Sequence, residues 1–254
     1  MSIKLIQITD CHLGSKTPPG FEHSAEQRLS AVVKALLSEP DIDHLLLTGD
    51  LAQFGEQSQY DALAKQLAPL QAPQHWIAGN HDEAAFLADK SCFNQRVISL
   101  GDGWGLILLN SIDDRDGKGS GSLGMAERAW LNETLMHTQG QFDHLLLAVH
   151  HPPVAVGSAW QDAISLGDSD LFAEGIEKDD RIRGILCGHL HQEHSLTFAN
   201  TKVWVTPATA HQYVAYTATP VRDHDPVTGL PAYRVILLNT DGQIKTWVER
   251  VPLA

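Results

Sequence analysis

The sequence predicts an α/β protein organised on a largely buried sheet, and three observations carry that expectation. Apolar runs of four to six residues recur along the chain, most of them stop at a cluster of Gly, Asp, Asn, His or Pro, and longer segments with helical spacing lie between them. Strands covered on both faces read as unbroken apolar runs, whereas strands with one wet face alternate. The length fits, since 254 residues with 43% hydrophobic content suffice for the core of one domain spanning residues 1–254.

Each element follows from its own residues. The first strand covers residues 4–9, and Ser24 with Gln27, spaced as a capping box, starts a helix over residues 25–37. A strand at 44–48, a helix at 57–67, a strand at 74–78 and a helix at 84–89 come next. Strands at 105–110, 144–149, 184–187 and 203–206 are interleaved with helices at 126–138 and 169–176. Residues 233–238 and 243–251 are β-rich and joined by Asn239, Thr240, Asp241 and Gly242, which predicts an antiparallel hairpin at a sheet edge. Residues 155–167 and 217–231 lack periodicity and carry Gly, Pro and Asp, which predicts loops, and loops of that length tend to be functional. Residues 43–47 and 143–147 share the sequence Asp-His-Leu-Leu-Leu, and each run ends on a polar residue at a strand's carboxyl end, where open α/β sheets bind ligands.

Charge narrows the function. With 31 acidic residues against 18 basic ones the formal net charge is −13, which argues against a nucleic-acid partner, because that affinity comes from Lys and Arg neutralising phosphates. The three cysteines, Cys11, Cys92 and Cys187, form no paired spacing, as expected in a reducing compartment. The N-terminus runs straight into a strand without a leader-like pattern, and no apolar run approaches the ~20 residues of a membrane helix. A cytoplasmic protein with no membrane partner is expected. The unusual feature is 14 histidines, nearly as many as all Lys and Arg together.

Five predicted strand ends carry Asp, Asn or His: Asp10-Cys11-His12, Gly49-Asp50, Gly79-Asn80-His81-Asp82, His150-His151-Pro152-Pro153 and Gly188-His189-Leu190-His191. Singly, each reads equally as a turn, a helix cap or a strand stop. Together they would bury polar groups at five separate places, and buried polar groups need partners; one shared metal cluster supplies them all. In extended chain, residues two apart face the same side, which would pair Asp10 with His12 and His189 with His191 while Cys11 and Leu190 turn to the core. Asp10, His12, Asp50, Asn80, His150, His189 and His191 make seven N and O donors, too many for one tetrahedral zinc and suited to two ions sharing a carboxylate; the lack of thiolates favours iron or manganese.

The ordered set D-x-H, G-D, G-N-H-D, H-H-x-P and G-H-x-H resembles the calcineurin-like metallophosphoesterase superfamily. Within it, Ile6-Gln7-Ile8-Thr9-Asp10, Thr48-Gly49-Asp50-Leu51-Ala52-Gln53 and the run from Leu186 through His191 to Glu193 are similar to the class III bacterial 3′,5′-cyclic AMP phosphodiesterases, a likeness that spans residues 3–211. The resemblance implies a four-layer αββα sandwich of the metallo-dependent phosphatase type. It implies that Asp10, His12, Asp50 and His191 hold one metal and Asp50, Asn80, His150 and His189 the other, and that His81 contacts the phosphate as catalytic residue. Substrate contacts implied in the same way are His12, Asp50, Asn80, His81 and His191. The implied activity is hydrolysis of 3′,5′-cyclic AMP to 5′-AMP by a hydroxide bridging two divalent ions, Fe and/or Mn. A broader phosphodiesterase acting on glycerophosphodiesters or 2′,3′-cyclic nucleotides is the alternative within that chemistry. A non-catalytic sensor is a third reading, against which stands the presence of all seven ligands and His81.

Two ions and two carboxylates give the pocket a charge of about +2, so a small phosphodiester is drawn in despite the acidic chain. His81 would either protonate the leaving 3′-oxygen or hold a phosphate oxygen. For the base, Trp160 and Tyr213 are the aromatic residues available in the two segments nearest the motifs, as stacking partners or as local packing.

Overall fold

The computed structural model describes residues 2–88, 91–112 and 118–253. In chain order its elements are β1 (Ile3–Ile8), α1 (Ala25–Leu36), β2 (His44–Thr48), α2 (Gln57–Leu67), β3 (Gln74–Ile77), α3 (Ala84–Leu87), α4 (Ser91–Asn94), β4 (Val97–Gly101), β5 (Trp104–Leu108), α5 (Gly124–His137), β6 (His144–Ala148), α6 (Ala159–Asp162), α7 (Ser169–Ile176), β7 (Ile182–Cys187), β8 (His194–Phe198), β9 (Thr201–Val205), β10 (Ala232–Leu238) and β11 (Ile244–Arg250). The helix expected over residues 84–89 ends at Leu87, and residue 89 lies outside the described residues.

Two mixed sheets form. One runs β11-β10-β1-β2-β3, parallel from β1 to the edge strand β3 and antiparallel across β1-β10-β11; the other runs β4-β5-β6-β7-β9-β8, parallel in the middle and antiparallel at both edges. Alternate residues of each strand serve different layers. Leu5, Leu46 and Ile77 of the first sheet pack with Leu106, Leu146 and Leu186 of the second in one buried cluster between the sheets. Their neighbours Ile6, Leu45, Leu47 and Trp76 face Leu29, Val32 and Leu63 of α1 and α2, while Leu145, Leu147 and Ile185 face Leu131, Phe172 and Ile176 of α5 and α7. The layer order is helix, sheet, sheet, helix, the αββα sandwich the sequence led us to expect. Burial on both faces is why the strands read as unbroken apolar runs.

The repeated Asp-His-Leu-Leu-Leu takes equivalent places. In both β2 and β6 the outer two leucines face helices and the middle one faces the opposite sheet. At α1 the Ser24 hydroxyl accepts from the Gln27 amide while the Gln27 side chain accepts from the Ser24 amide, the reciprocal cap the spacing called for.

Four short elements were not expected from the sequence. β4 and β8 are edge strands, paired on one side to β5 and β9 respectively, with residues alternating between buried and exposed, so they lack the apolar run that marks the central strands. α4 and α6 are single turns of four residues. α6 falls within residues 155–167, where Asp162 folds back to accept the amides of Val156 and Gly157, a local bond that periodicity does not reveal.

A histidine pair ties β2 to β3: His44 Nδ1 lies 3.0 Å from His75 Nε2, and His44 Nε2 lies 3.2 Å from the Leu100 carbonyl. Burial, reinforced by the neighbouring His44, pushes His75 down to about 4, and burial lowers His44 as well. A folded-state value below the unfolded one, near 6.5, means that the fold favours neutral imidazole. The stability this confers is present above pH ~6.5 and is lost as pH falls toward 4. In urea denaturation across that window, wild type is expected to lose more stability than His75→Gln; parallel curves would refute the assignment.

Candidate metal centre

All seven expected ligands converge. Asp10 and His12 follow β1, Asp50 follows β2, Asn80 follows β3, His150 follows β6, and His189 and His191 follow β7, so the site lies where the carboxyl ends of both sheets meet. Backbone bonds lock the loops together: the Asp10 amide donates to the Gly49 carbonyl, that of His12 to Asp50, and that of Gly188 to His150, at 2.9, 2.9 and 3.1 Å.

The sequence reading placed Asp10 with His12 and His189 with His191 on extended chain, and this is corrected by the backbone. β1 stops at Ile8 and β7 at Cys187, and the four residues have φ of 52°, 46°, 72° and 53°, with Asp50 at 50°. Five non-glycine residues in the left-handed region, each costing on the order of 1 kcal/mol or more, are held there by the loop hydrogen bonds and mark a functional site. The side chains of Cys11 and Leu190 still turn into the core, at 0% and 1% exposure. Gly79 and Gly188 permit the close packing: a Cβ on Gly79 would fall on the Asp50 carboxylate, and one on Gly188 would lie 2.7 Å from Asp10 Oδ2.

The hydrogen-bond pattern shows which atoms remain for a ligand. An imidazole nitrogen beside a carbonyl oxygen carries the proton, which leaves the other nitrogen with a bare lone pair. His150 Nδ1 donates to the Thr48 carbonyl at 2.7 Å and His191 Nδ1 to that of His211 at 2.6 Å, freeing both Nε2 atoms. His12 Nδ1 donates to Gln53 Oε1 at 3.0 Å, with the same result. His189 is turned the other way: Nε2 donates to the Ile164 carbonyl at 3.0 Å, so Nδ1 is free.

Those lone pairs face one another. His12 Nε2 and His191 Nε2 are 3.0 Å apart, and His191 Nε2 is 3.4 Å from Asp10 Oδ1. His12 Nε2 and His150 Nε2 lie 3.6 and 3.4 Å from Asp50 Oδ2, within ion-pair reach; His150 Nε2 nevertheless lacks the alignment of a hydrogen bond. Buried polar atoms without a partner include Asn80 Oδ1, His150 Nε2 and His189 Nδ1. Two imidazole nitrogens aimed at each other, and three buried polar atoms without a hydrogen-bond partner, are an unfavourable arrangement for a metal-free protein and one that divalent cations satisfy. Triads that could hold a cation include Asp10, His12 and His191, and Asp10, Asp50 and His150.

Electrostatics follow the same lines. Burial alone would raise the carboxyls of Asp10 and Asp50, but the attraction of His191 beside Asp10 and of His150 beside Asp50 outweighs it and lowers both. Burial pushes His12 down to about 3 and His189 to about 4, the latter helped by His150, so both stay neutral. For His150 burial acts downward too, but Asp50 and Asp10 bring it up to about 9, so without a cation its Nε2 takes up a proton, and a cation bound beside the two carboxylates would displace that proton.

His151 sits against His189 with ring centroids 4.5 Å apart, yet both its nitrogens are committed, Nδ1 to the Ser111 hydroxyl at 2.8 Å and Nε2 to the Gly119 carbonyl at 3.1 Å. It has no lone pair left for a cation.

The comparisons with known proteins bear on the same residues. A profile of calcineurin-like phosphoesterases matches residues 3–193, a span of 191 of the 254 residues that holds every strand end described above. The chain belongs to the calcineurin-like phosphoesterase family. This phosphoesterase is 32% identical to the 3′,5′-cyclic adenosine monophosphate phosphodiesterase CpdA of Vibrio vulnificus, over 98% of this chain and 90% of that protein. It is also 32% identical to the 3′,5′-cyclic-nucleotide phosphodiesterase alr5338 of Nostoc sp., over 99% of this chain and 94% of that one. Among solved structures, a dimetal phosphatase from Danio rerio superposes with a TM-score of 0.71, covering 98% of this chain and 99% of that one at 11% identity, which is a likeness of fold.

The phosphoesterase opens its site into a cavity of about 220 Å³, lined by His12, Asp50, Asn80, His81, His189 and His191, with Asp10 and His150 fully buried behind them. A larger cleft of about 930 Å³ shares His191 and Tyr213 with it but reaches no other expected ligand, so the smaller cavity is the one with the chemistry. His81 is fixed at its rim: its amide donates to Asp50 Oδ1 at 2.9 Å, and its Nδ1 lies 3.1 Å from the Gln53 carbonyl and 3.2 Å from the Gln53 side-chain nitrogen, which leaves Nε2 uncommitted.

Two residues that organise the phosphoesterase site carry no strong signal in the sequence. Gln53 orients His12 through its side chain and His81 through its carbonyl, and its position three residues after Asp50 was the one available hint. Asp82, quoted in the G-N-H-D motif without a role, accepts from the amides of Leu51, Ala52 and Gly79 and from the Tyr60 hydroxyl, all at 2.9–3.1 Å. Burial, with Asp50 nearby, pushes its carboxyl up to about 6. Asp82→Ala strands three amides and is expected to cost about 3 kcal/mol in urea denaturation; a loss under about 1 kcal/mol would mean that those amides find other partners.

Proposed function

We propose that this phosphoesterase is a metal-dependent phosphodiesterase that opens 3′,5′-cyclic AMP to 5′-AMP. The observation that carries the reading is the set of imidazole, amide and carboxylate lone pairs left facing one another at the cavity floor. The names of the relatives at 32% identity over nearly the whole chain support the substrate. In this reading Asp10, His12, Asp50 and His191 hold one divalent ion and Asp50, Asn80, His150 and His189 a second, iron or manganese, with Asp50 shared. The donors fit such ions, being nitrogen and oxygen with no thiolate.

Bound there, the ions supply activation of water and neutralisation of charge on the phosphoryl oxygens. The rest falls to the chain. Gln53 engages Nδ1 of His12 through its side-chain oxygen and Nδ1 of His81 through its carbonyl and side-chain nitrogen, so that each ring presents Nε2. With a proton on Nε2, His81 would give that proton to the leaving 3′-oxygen or hold a phosphate oxygen by the same N–H. His12, Asp50, Asn80 and His191 line the same cavity and contact the phosphate end of the substrate. A cytoplasmic enzyme fits Cys11, Cys92 and Cys187, among which no disulfide forms.

A substrate panel in defined Mn²⁺ or Fe²⁺ tests the reading. The expected result is a kcat/KM for 3′,5′-cyclic AMP well above those for 2′,3′-cyclic AMP and glycerophosphodiesters. Comparable values across the panel would make the enzyme a broad phosphodiesterase, and no metal-dependent hydrolysis would overturn the assignment.

A further inference from the structure

Three planar groups from separate segments meet at one side of the metal-centre cavity. Trp160 comes from α6, and Tyr213 and Arg222 face each other across an isolated antiparallel bridge. The Trp160 and Tyr213 rings are 4.9 Å apart between centroids at an interplanar angle of 66°, and the Arg222 guanidinium carbon lies 4.2 Å from the Tyr213 ring centroid. All three line the cavity that also contains His12, Asp50, Asn80 and His81. None of the three is fully buried. The Trp160 indole N–H is spent on Thr217 Oγ1 at 3.3 Å, so the ring offers its apolar faces rather than a donor.

This wall is fastened to the metal centre. The Tyr213 amide donates to the His191 carbonyl at 3.3 Å, and the two rings are 5.4 Å apart. A group stacked on the wall is therefore held in the same cavity as a phosphate at its floor, as the base and phosphate of one nucleotide would be. We propose that Trp160, Tyr213 and Arg222 form the stacking wall that takes the base of a nucleoside monophosphate. The placement of the phosphate rests on the phosphodiesterase reading above; the choice of a nucleotide rests on the wall, since a glycerophosphodiester has no ring to stack. The face of Arg222 away from Tyr213 extends the platform, a use of the planar guanidinium that lysine cannot reproduce.

The test is equilibrium binding to the Mn²⁺-loaded protein by calorimetry, with adenosine 5′-monophosphate and ribose 5-phosphate as probes. The two share sugar and phosphate and differ in the base. Adenosine 5′-monophosphate is expected to bind at least about tenfold more tightly, the scale of one stacked base. Trp160→Leu and Tyr213→Leu should each remove most of that ratio, Arg222→Lys part of it, and Tyr213→Phe, which keeps the ring, should retain it. Equal binding of the two probes to wild type overturns the proposal, as does an equal loss for both probes in the leucine variants. Base-dependent binding without any hydrolysis of cyclic AMP would sustain the wall and refute the phosphodiesterase reading, so the two can fail separately.

Discussion

Asp50→Asn is expected to lower hydrolysis of cyclic AMP on the order of a thousandfold and to reduce bound metal from two equivalents to one or fewer. Asp50 reaches both histidine groups, its Oδ2 lying 3.6 Å from His12 Nε2 and 3.4 Å from His150 Nε2. Its Oδ1 meanwhile accepts the His81 amide at 2.9 Å, so the same side chain anchors the residue assigned to the leaving group. The asparagine keeps the shape and removes the charge, which separates electrostatics from packing. Removing the charge ends the attraction of His150 and His12 as well as the repulsion that raises the Asp82 carboxyl, so the fold is checked independently of activity. The checks are elemental analysis of the purified variant, hydrolysis in excess Mn²⁺, and a circular dichroism spectrum to establish the fold. A folded variant that retains two metals and more than about a tenth of wild-type turnover would dismiss Asp50 as the shared ligand.

His81→Ala is expected to lower kcat by about 10²- to 10⁴-fold while metal content stays at the wild-type level, the range for losing one proton-transfer group. The structure assigns His81 no unpartnered buried atom; its Nδ1 is held by the Gln53 carbonyl, and its partly exposed ring stands against His12 with centroids 4.9 Å apart. The size of the loss should depend on the leaving group. Cyclic AMP releases an alkoxide that needs a proton, whereas bis(p-nitrophenyl) phosphate releases a stable phenolate that does not. A much larger loss with cyclic AMP identifies His81 as the acid; equal losses with both substrates identify it as a clamp on the phosphate. Loss of metal in this variant would make His81 a ligand instead, an option its proximity to His12 and Asp50 keeps open to measurement.

The way the motifs were legible explains what was and was not recoverable from the chain. The five polar strand ends stood out because each follows an apolar run that must be buried, and a polar group at the end of such a run needs a reason. The same logic identified β1, β2, β3, β5, β6, β7 and β9, whose apolar runs are buried in the two sheets. It did not reach β4 and β8, where one open side permits a mixed sequence. Nor did it anticipate the left-handed turns at Asp10, His12, Asp50, His189 and His191, since those conformations are imposed by loops that bond to one another across the two sheets. An extended chain and a left-handed turn can deliver the same two side chains to one point, so the convergence was foreseeable while the route was not.

What the sequence by itself determined is the set of donors and the order in which strands deliver them, because burial energetics act on local runs of residues. What only the tertiary structure decided is how each donor is used. Nothing local shows that His189 turns Nδ1 inward while His12, His150 and His191 turn Nε2, that His151 is spent on Ser111 and Gly119, or that Gln53 and Asp82 hold the arrangement in place. Each of these depends on a carbonyl, hydroxyl or amide that a distant or folded-back segment brings within 3.2 Å, and a hydrogen-bond partner supplied by folding leaves no trace in the spacing of the residue that uses it.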